Sequence, residues 1–246
     1  NYGYIFGNPI WVENIYGCTD ELADNYNPEA NWNNGSCTYP ENGDYSLSFD
    51  GLDDWVTIDN EDIVFTQEQG LTVAFQVNVE SNNGGHILTR YENGIATNSN
   101  FVIRLGDSDN DGICAISAYG QGTLCNGASN ECTYELANGI NCREQNLFYV
   151  VFGDNGYNTK LYLNNALIGQ LNLNVNPIPS TESLYIGRVG GSPPGLFDGI
   201  INEIATWNVA LSLEEIQNID ENNEFLTAHY KFNAGSGDIL YDHSGN

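Results

Sequence analysis

Tyr45–Ile58, YSLSFDGLDDWVTI, alternates apolar and polar residues, turns on Asp-Gly and Asp-Asp, and alternates again. That pattern reads as one strand, a tight turn and a second strand. Its counterpart is Phe197–Ile216, FDGIINEIATWNVALSLEEI, a long strand running into a helix start. There Ser212 stands as N-cap with Glu215 three residues on, a capping box before Ile216. Between the two lie about 140 residues of short strands. Leu71–Val79 alternates for nine residues, with Leu71, Val73, Phe75, Val77 and Val79 on one face. Further runs are predicted at His86–Tyr91, Phe101–Leu105, Ile113–Tyr119, Asn146–Phe152, Lys160–Leu163, Leu167–Leu173 and Leu184–Gly187. Asn164-Asn165 and Asp154–Gly156 read as hairpin turns. This spacing is that of an all-β, two-sheet antiparallel sandwich.

In their order these segments resemble the laminin G-like branch of the concanavalin A-like lectin-glucanase jelly rolls. LFYVVFGDNGYNTKLYLNNALIGQ (147–170) resembles the central hairpin of that family, and SLYIGRVGG (183–191) its penultimate strand. The likeness spans residues 43–224. It departs at Asn202 in GIINEIATW, where the family commonly carries Asp. The resemblance implies a jelly-roll scaffold used to hold sugars or proteins, and it places the opening strand beside the closing one.

Composition bounds the function. Of 246 residues, 33 are acidic and 6 basic, a formal net charge of −27. A surface that negative repels nucleic acid and anionic lipid and favours cations, so no nucleic acid is expected as partner. A hydrophobic content of 41% is that of a folded chain. No run approaches the ~18 apolar residues of a membrane span, so no membrane insertion is expected. With no methionine and no signal peptide in view, the sequence reads as a mature or excised piece whose targeting segment is gone. Six cysteines, none in a Cys-x-x-Cys, favour disulfides and a secreted, extracellular or cell-surface location over a zinc site.

Four parts are expected. Residues 1–17, NYGYIFGNPIWVENIYG, read as an extended aromatic arm, and residues 18–42 as a small module closed by Cys18 and Cys37, with a helix-leaning stretch at Asp20–Tyr26. The module resembles a Gly-Cys-Thr-Asp…Gly-Ser-Cys unit of secreted surface proteins, carried here by Gly17, Cys18, Thr19, Asp20, Asn25, Tyr26, Pro28, Gly35, Ser36 and Cys37. The jelly roll follows at 43–224. Residues 225–246 contain AHYKFNAGSGDILYDHSGN, which resembles the usual beginning of such a domain. Three readings stand open for this end: the start of a next repeat, a strand folded back to fill the first-strand place, or a strand donated to a neighbouring molecule.

Candidate chemistry is sparse. A glucanase of this fold carries Glu-x-Asp-x-x-Glu on one strand face, and no such triplet occurs, so the chain is expected to be no enzyme. Asp107-Ser-Asp109-Asn-Asp111-Gly112 places carboxylates at alternate positions before a glycine, a pattern that wraps calcium. The alternative is a polar hairpin turn. A second calcium candidate joins Asp50, Asp53 and Asp54 with Asp198, against a capped-turn reading of the same aspartates. Proximity pairs Cys18 with Cys37, Cys114 with Cys125, and Cys132 with Cys142. The stapled insertion, with Tyr119, Tyr134 and Arg143, is a candidate ligand site, the alternative being a rigidified loop. Tyr157 and Trp55 are candidates for stacking on sugar, although Trp55 and Trp207 are both expected in the core.

The expected function is a secreted, calcium-stabilised carbohydrate-binding or adhesion module of a larger surface protein, its partner a glycan or cell-surface protein. The alternative is a structural subunit of an extracellular filament that self-associates through residues 1–17 or 225–246.

Overall fold

The computed structural model describes residues 12–21, 23–39, 45–59, 63, 69–80, 84–90, 101–106, 111–119, 135–153, 159–171, 183–189, 195–219 and 223–245, the Tyr119 side chain excepted. Two units separate: residues 1–41 with 245–246, and residues 42–244.

The first unit carries a parallel pair, β1 (Tyr16–Gly17) and β2 (Trp32–Asn33), with the Tyr16 and Trp32 rings 6.4 Å apart. Cys18 is bonded to Cys37, as its spacing suggests. The helix-leaning stretch is not helical among its described residues. Ala23 donates to the Asp20 carbonyl and Tyr26 to that of Ala23, a succession of turns. Seven residues rich in Asp and Asn cannot meet the cost of nucleating a helix, and their side chains prefer turns.

In the second unit the strands are β3 (Leu47–Asp50), β4 (Val56–Ile58), β5 (Leu71–Val79), β6 (Gly85–Arg90), β7 (Phe101–Gly106), β8 (Ile113–Tyr119), β9 (Glu135–Asn141) and β10 (Asn146–Phe152). There follow β11 (Thr159–Leu163), β12 (Ala166–Leu171), β13 (Leu184–Ile186), β14 (Arg188–Val189), β15 (Gly195–Leu196), β16 (Asp198–Trp207), helix α1 (Leu213–Gln217) and β17 (Leu226–Tyr230). One sheet runs β12-β11-β10-β5-β16-β17, with β3 also on β16, and the other runs β4-β13-β6-β7-β8-β9. All pairings in both sheets are antiparallel.

The alternation of β5 explains its place. Its odd residues enter the core between the sheets, and even its outward Thr72 and Ala74 are buried, because β5 is central and its outer face is covered too. Phe75 stacks on Phe148 at 5.2 Å, and Phe101 meets Phe152 across the sheets at 6.0 Å. Trp207 lies in the outer cluster with Tyr149, Leu211 and Ile216 of α1. Ser212 and Glu215 form the capping box that starts this helix.

Two expectations change. Residues 135–141 lie in what reads as a loop insertion, yet they form edge strand β9, because Leu136 and Ile140 reach the core while Asn and Gly face outward. Cys114 is bonded to Cys142, not to Cys125, and Cys142 is therefore not paired with Cys132. β8 and β9 form a hairpin that brings Cys114 opposite Ile140, so strand pairing overrides closeness in sequence. Cys125 and Cys132 lie outside the described residues.

Candidate functional site

Strand β16 has two tenants along one edge. Asp198–Ile201 pairs with β3, while Ile204–Trp207 pairs with β17. After β17 the chain turns back on that strand. Asp242 secures this return: its Oδ1 accepts from the His229 N–H at 2.9 Å and the Ser244 N–H at 2.8 Å. The His243 N–H donates to the His229 carbonyl at 2.8 Å.

The returning segment, Tyr230–His243, walls a groove of about 1060 Å³ against Tyr45–Leu47 and Trp55–Asp59. Gly235 (φ +73°) lies so close to the Tyr45 ring that a Cβ there would stand 2.6 Å from it, so a side chain would push the wall off the ring. Tyr45 is 49% and Trp55 44% exposed, leaving two aromatic surfaces at the groove. Trp55 is thus at the surface and not in the core: β4 is an edge strand, and Trp55 stands just before it. Asp59, Asp238 and Asp242 give the groove its acidic lining, and Asp59 Oδ1 accepts from the Ser183 hydroxyl at 3.0 Å.

At one end of β3 the turn into β4 gathers Asp50, Asp53 and Asp54, which offer ligand oxygens within 4.8 Å of one another, all exposed. Asp198 stands opposite Asp50 in the ladder. The turn reading holds as well: Asp50 Oδ1 accepts from the Leu52 N–H at 2.8 Å, and Asp54 Oδ2 accepts from the Asp50 N–H at 3.1 Å. Gly51 (φ +74°) is required here, since a Cβ would meet the Asp198 Cβ at 2.9 Å. Asp111 Oδ1 accepts from the Ile113 N–H at 2.7 Å as the chain enters β8. Asp107 and Asp109 lie outside the described residues.

On the outer face of the second sheet, Tyr185 stands between Thr57 and Thr89 in register, with its neighbours Leu184 and Ile186 in the core. Arg188 lies over this face, its guanidinium 4.6 Å from the Trp55 ring centre and 5.3 Å from that of Tyr185. The Thr89 hydroxyl donates to the Arg188 carbonyl at 2.6 Å. His86 and Arg104 are opposite one another nearby in the same sheet. Burial first, and the Arg104 charge second, lower the His86 pKa to about 4 despite a contact with the Gly195 backbone.

A further titratable pair is on the first sheet. His229 Nε2 and Glu203 Oε1 are 2.5 Å apart, and this hydrogen bond holds the Glu203 carboxyl below its ordinary range. Burial, and then the Glu203 charge, raise the Tyr149 hydroxyl. Glu203 opposes Gln76 after a bulge in β16, and its side chain is 45% exposed, turned away from the core that Ile201 and Ile204 enter.

Of the ligand candidates, Arg143 donates from Nη1 to the Val79 carbonyl at 3.2 Å and packs on Gly112, which anchors the end of β9. Tyr134 and Tyr157 lie outside the described residues, as does the Tyr119 side chain. The groove itself escapes a reading of local motifs, because its walls are 170 residues or more apart in sequence. Its one signal is the likeness of 228–246 to a domain's opening strand. No helix among the described residues is long and apolar enough to cross a membrane.

Residues 49–217 match the family model described as the concanavalin A-like lectin/glucanases superfamily. No curated protein matches the chain. Among solved structures, a native heptameric SAP-like pentraxin from Limulus polyphemus superposes with a TM-score of 0.53 at 16% identity, over 73% of this chain and 83% of that one. A protein described as a "putative carbohydrate binding protein" from Bacteroides ovatus superposes with a TM-score of 0.55 at 14% identity, over 88% of this chain. The chain spans 62% of the length of that second protein. At these identities the likeness is one of fold.

Proposed function

Since the chain belongs to the concanavalin A-like lectin/glucanases superfamily, we propose that it is a secreted, non-catalytic carbohydrate-binding or adhesion module of a larger surface protein, stabilised by calcium. The groove carries this reading. A sugar has apolar C–H faces and a rim of hydroxyls, so a binding site needs an aromatic plane beside polar acceptors. Tyr45 and Trp55 supply the planes, and Asp59, Asp238 and Asp242 the acceptors. The description of the Bacteroides ovatus neighbour agrees in kind. The two disulfides among the described residues suit an oxidising compartment outside the cell.

Calcium fits the donor chemistry at Asp50, Asp53 and Asp54. These are hard oxygen ligands within bonding reach of one cation, and their turn bonds use one oxygen each of Asp50 and Asp54, leaving the second carboxylate oxygens for metal. Neutralising three adjacent carboxylates would stiffen the β3–β4 turn that ends at Trp55. Asp107, Asp109 and Asp111 are proposed as a second calcium loop.

A glycan array probed with and without chelator tests the reading. Selective binding is expected, weakened by chelation, and Trp55→Ala should weaken it roughly tenfold or more, as loss of a central aromatic anchor does. Retention of no glycan, together with concentration-dependent filaments in electron micrographs, would replace this reading with the structural-subunit one.

A further inference from the structure

The groove between the returning segment and the β3–β4 region has a charge of its own. Asp59, Asp238 and Asp242 line it, and no Lys or Arg does. Asp59 and Asp238 are exposed, and Asp242 is half-buried. The bonds of Asp59 and Asp242 engage one oxygen of each: Asp59 Oδ1 takes the Ser183 hydroxyl, and Asp242 Oδ1 the two backbone N–H groups. Arg188 covers one face of Trp55 from outside the lining, so it brings no donor into the groove. With a net charge of −27 behind these walls, an acidic ligand is repelled and a cationic one drawn in.

The three carboxylates do not converge. Among the described residues, only Asp50, Asp53 and Asp54 bring three ligand oxygens within 4.8 Å of one another, and none of those lines the groove. A single metal ion needs its ligands around one point, so it is not the cation this groove is built for. Separate carboxylates along a wall suit a chain that carries cations at intervals. The groove volume of about 1060 Å³ stands at the top of the range of about 300–1,000 Å³ for small-ligand pockets, which leaves room for more than one sugar unit.

We propose that the groove selects amino sugars, glycans whose free amines are protonated, with Asp59 and Asp238 as the carboxylates that receive the ammonium groups. This rests on the glycan-binding reading above. A hydrogen bond from an ammonium to a carboxylate is charge-assisted and stronger than one between neutral groups. The rings of Tyr45 and Trp55 attract in the same sense, since an aromatic face is negative and draws a cation lying over it. Those two planes also favour a sugar over a basic peptide, because a sugar ring presents a flat C–H face and a lysine stem does not. Thr57, Asn233 and Ser236 stand in the lining as neutral partners for hydroxyls.

The test is calorimetric titration of the full chain at constant calcium, near pH 6, below the ~7.7–8.0 at which an α-amine titrates. The probes are a glucosamine tetrasaccharide, its fully N-acetylated neutral counterpart, and tetralysine. The free-amine sugar should bind roughly tenfold or more tighter than the acetylated one, as a charged hydrogen-bond pair implies. Asp59→Asn and Asp238→Asn should each lower this ratio, and together bring it toward one. Raising sodium chloride from about 0.05 M to about 0.5 M should shrink it as well. One molecule should bind per chain, shifting the Trp55 indole N–H resonance, and Trp55→Ala should weaken it. Acetylated sugar binding as well as the free amine, or better, overturns the inference and leaves the glycan reading standing. Free-amine sugar bound in several copies per chain, indifferent to Trp55→Ala, is attraction to the net charge and also overturns it. Tetralysine that binds as tightly as the amino sugar and shifts Trp55 replaces the sugar with a basic peptide. Binding of none of the three removes both readings. Should Asp59→Asn fail to fold, the exposed Asp238→Asn and the salt series carry the test.

Discussion

His86 refuses a proton that a chain of net charge −27 would otherwise invite. Its ordinary value of 6.5 is lowered to about 4 by burial first and by Arg104 second. The unfolded chain begins to bind this proton below pH 6.5, while the folded chain binds it only near pH 4. Stability is therefore complete above 6.5 and is lost as pH falls through that window, by about 3 kcal/mol in all. Denaturant titrations of His86→Asn between pH 4 and 7 should show a flatter pH dependence than the unmodified chain, and equal slopes would assign the loss to other groups. Glu203 acts lower on the scale. Its carboxyl is held below its ordinary 4.5 by the bond from His229, so its contribution is present above that value and lost as pH falls further. None of this is legible in sequence, because neither His86 nor Glu203 belongs to a motif. The same limit applies to tryptophan: Trp55 and Trp207 both adjoin alternating strands, yet one meets solvent and one the outer cluster, since β4 is an edge and α1 covers the other.

Elements were the most readable scale. β5, β8 and β10 have the predicted bounds, and β6, β7, β11, β12 and β13 differ from theirs by one or two positions at their ends. The capping box is visible because it is local: Ser212 Oγ accepts from the Glu215 N–H, and Glu215 reaches back to the Ser212 N–H at 2.7 Å. Ser212→Ala should cost about 1 kcal/mol in chemical denaturation. Asn164 and Asn165 adopt φ of +48° and +65°, as a tight hairpin requires. Asn165→Val should therefore destabilise by roughly 1–2 kcal/mol, while Asn165→Gly should not. Element β9 was not legible because Asn138, Gly139 and Asn141 carry turn chemistry, and only tertiary pairing with β8 makes them a strand.

At the scale of the whole molecule, sequence reached the sandwich and left the fold-back of the last strand as one of three open readings; the structure pairs that strand, β17, with β16. Hydrophobic alternation states which faces are buried, but not which distant cysteines or strands meet. The Cys114–Cys142 bond closes a 28-residue separation across the β8–β9 hairpin. Replacing both cysteines by serine should lower stability by about 3 kcal/mol, read as a fall in melting temperature. Self-repulsion at −27 should also make the melting temperature rise with sodium chloride, and rise further with calcium at constant ionic strength if Asp50, Asp53 and Asp54 bind it. The shared edge of β16 has a further consequence. Since β17 ends at Tyr230 opposite Ile204, and β3 begins at Leu47 opposite Ile201, the two lie end to end and run the same way. They form one interrupted strand whose halves come from opposite ends of the unit. The fold is thus indifferent to cyclic order: a permuted gene encoding 226–244, then 45–223, would lay the same backbone along β16 without a break in direction. Such a permutant should fold to the same sandwich, and residues 231–244, which already wall the groove, would become the covalent loop from β17 to β3.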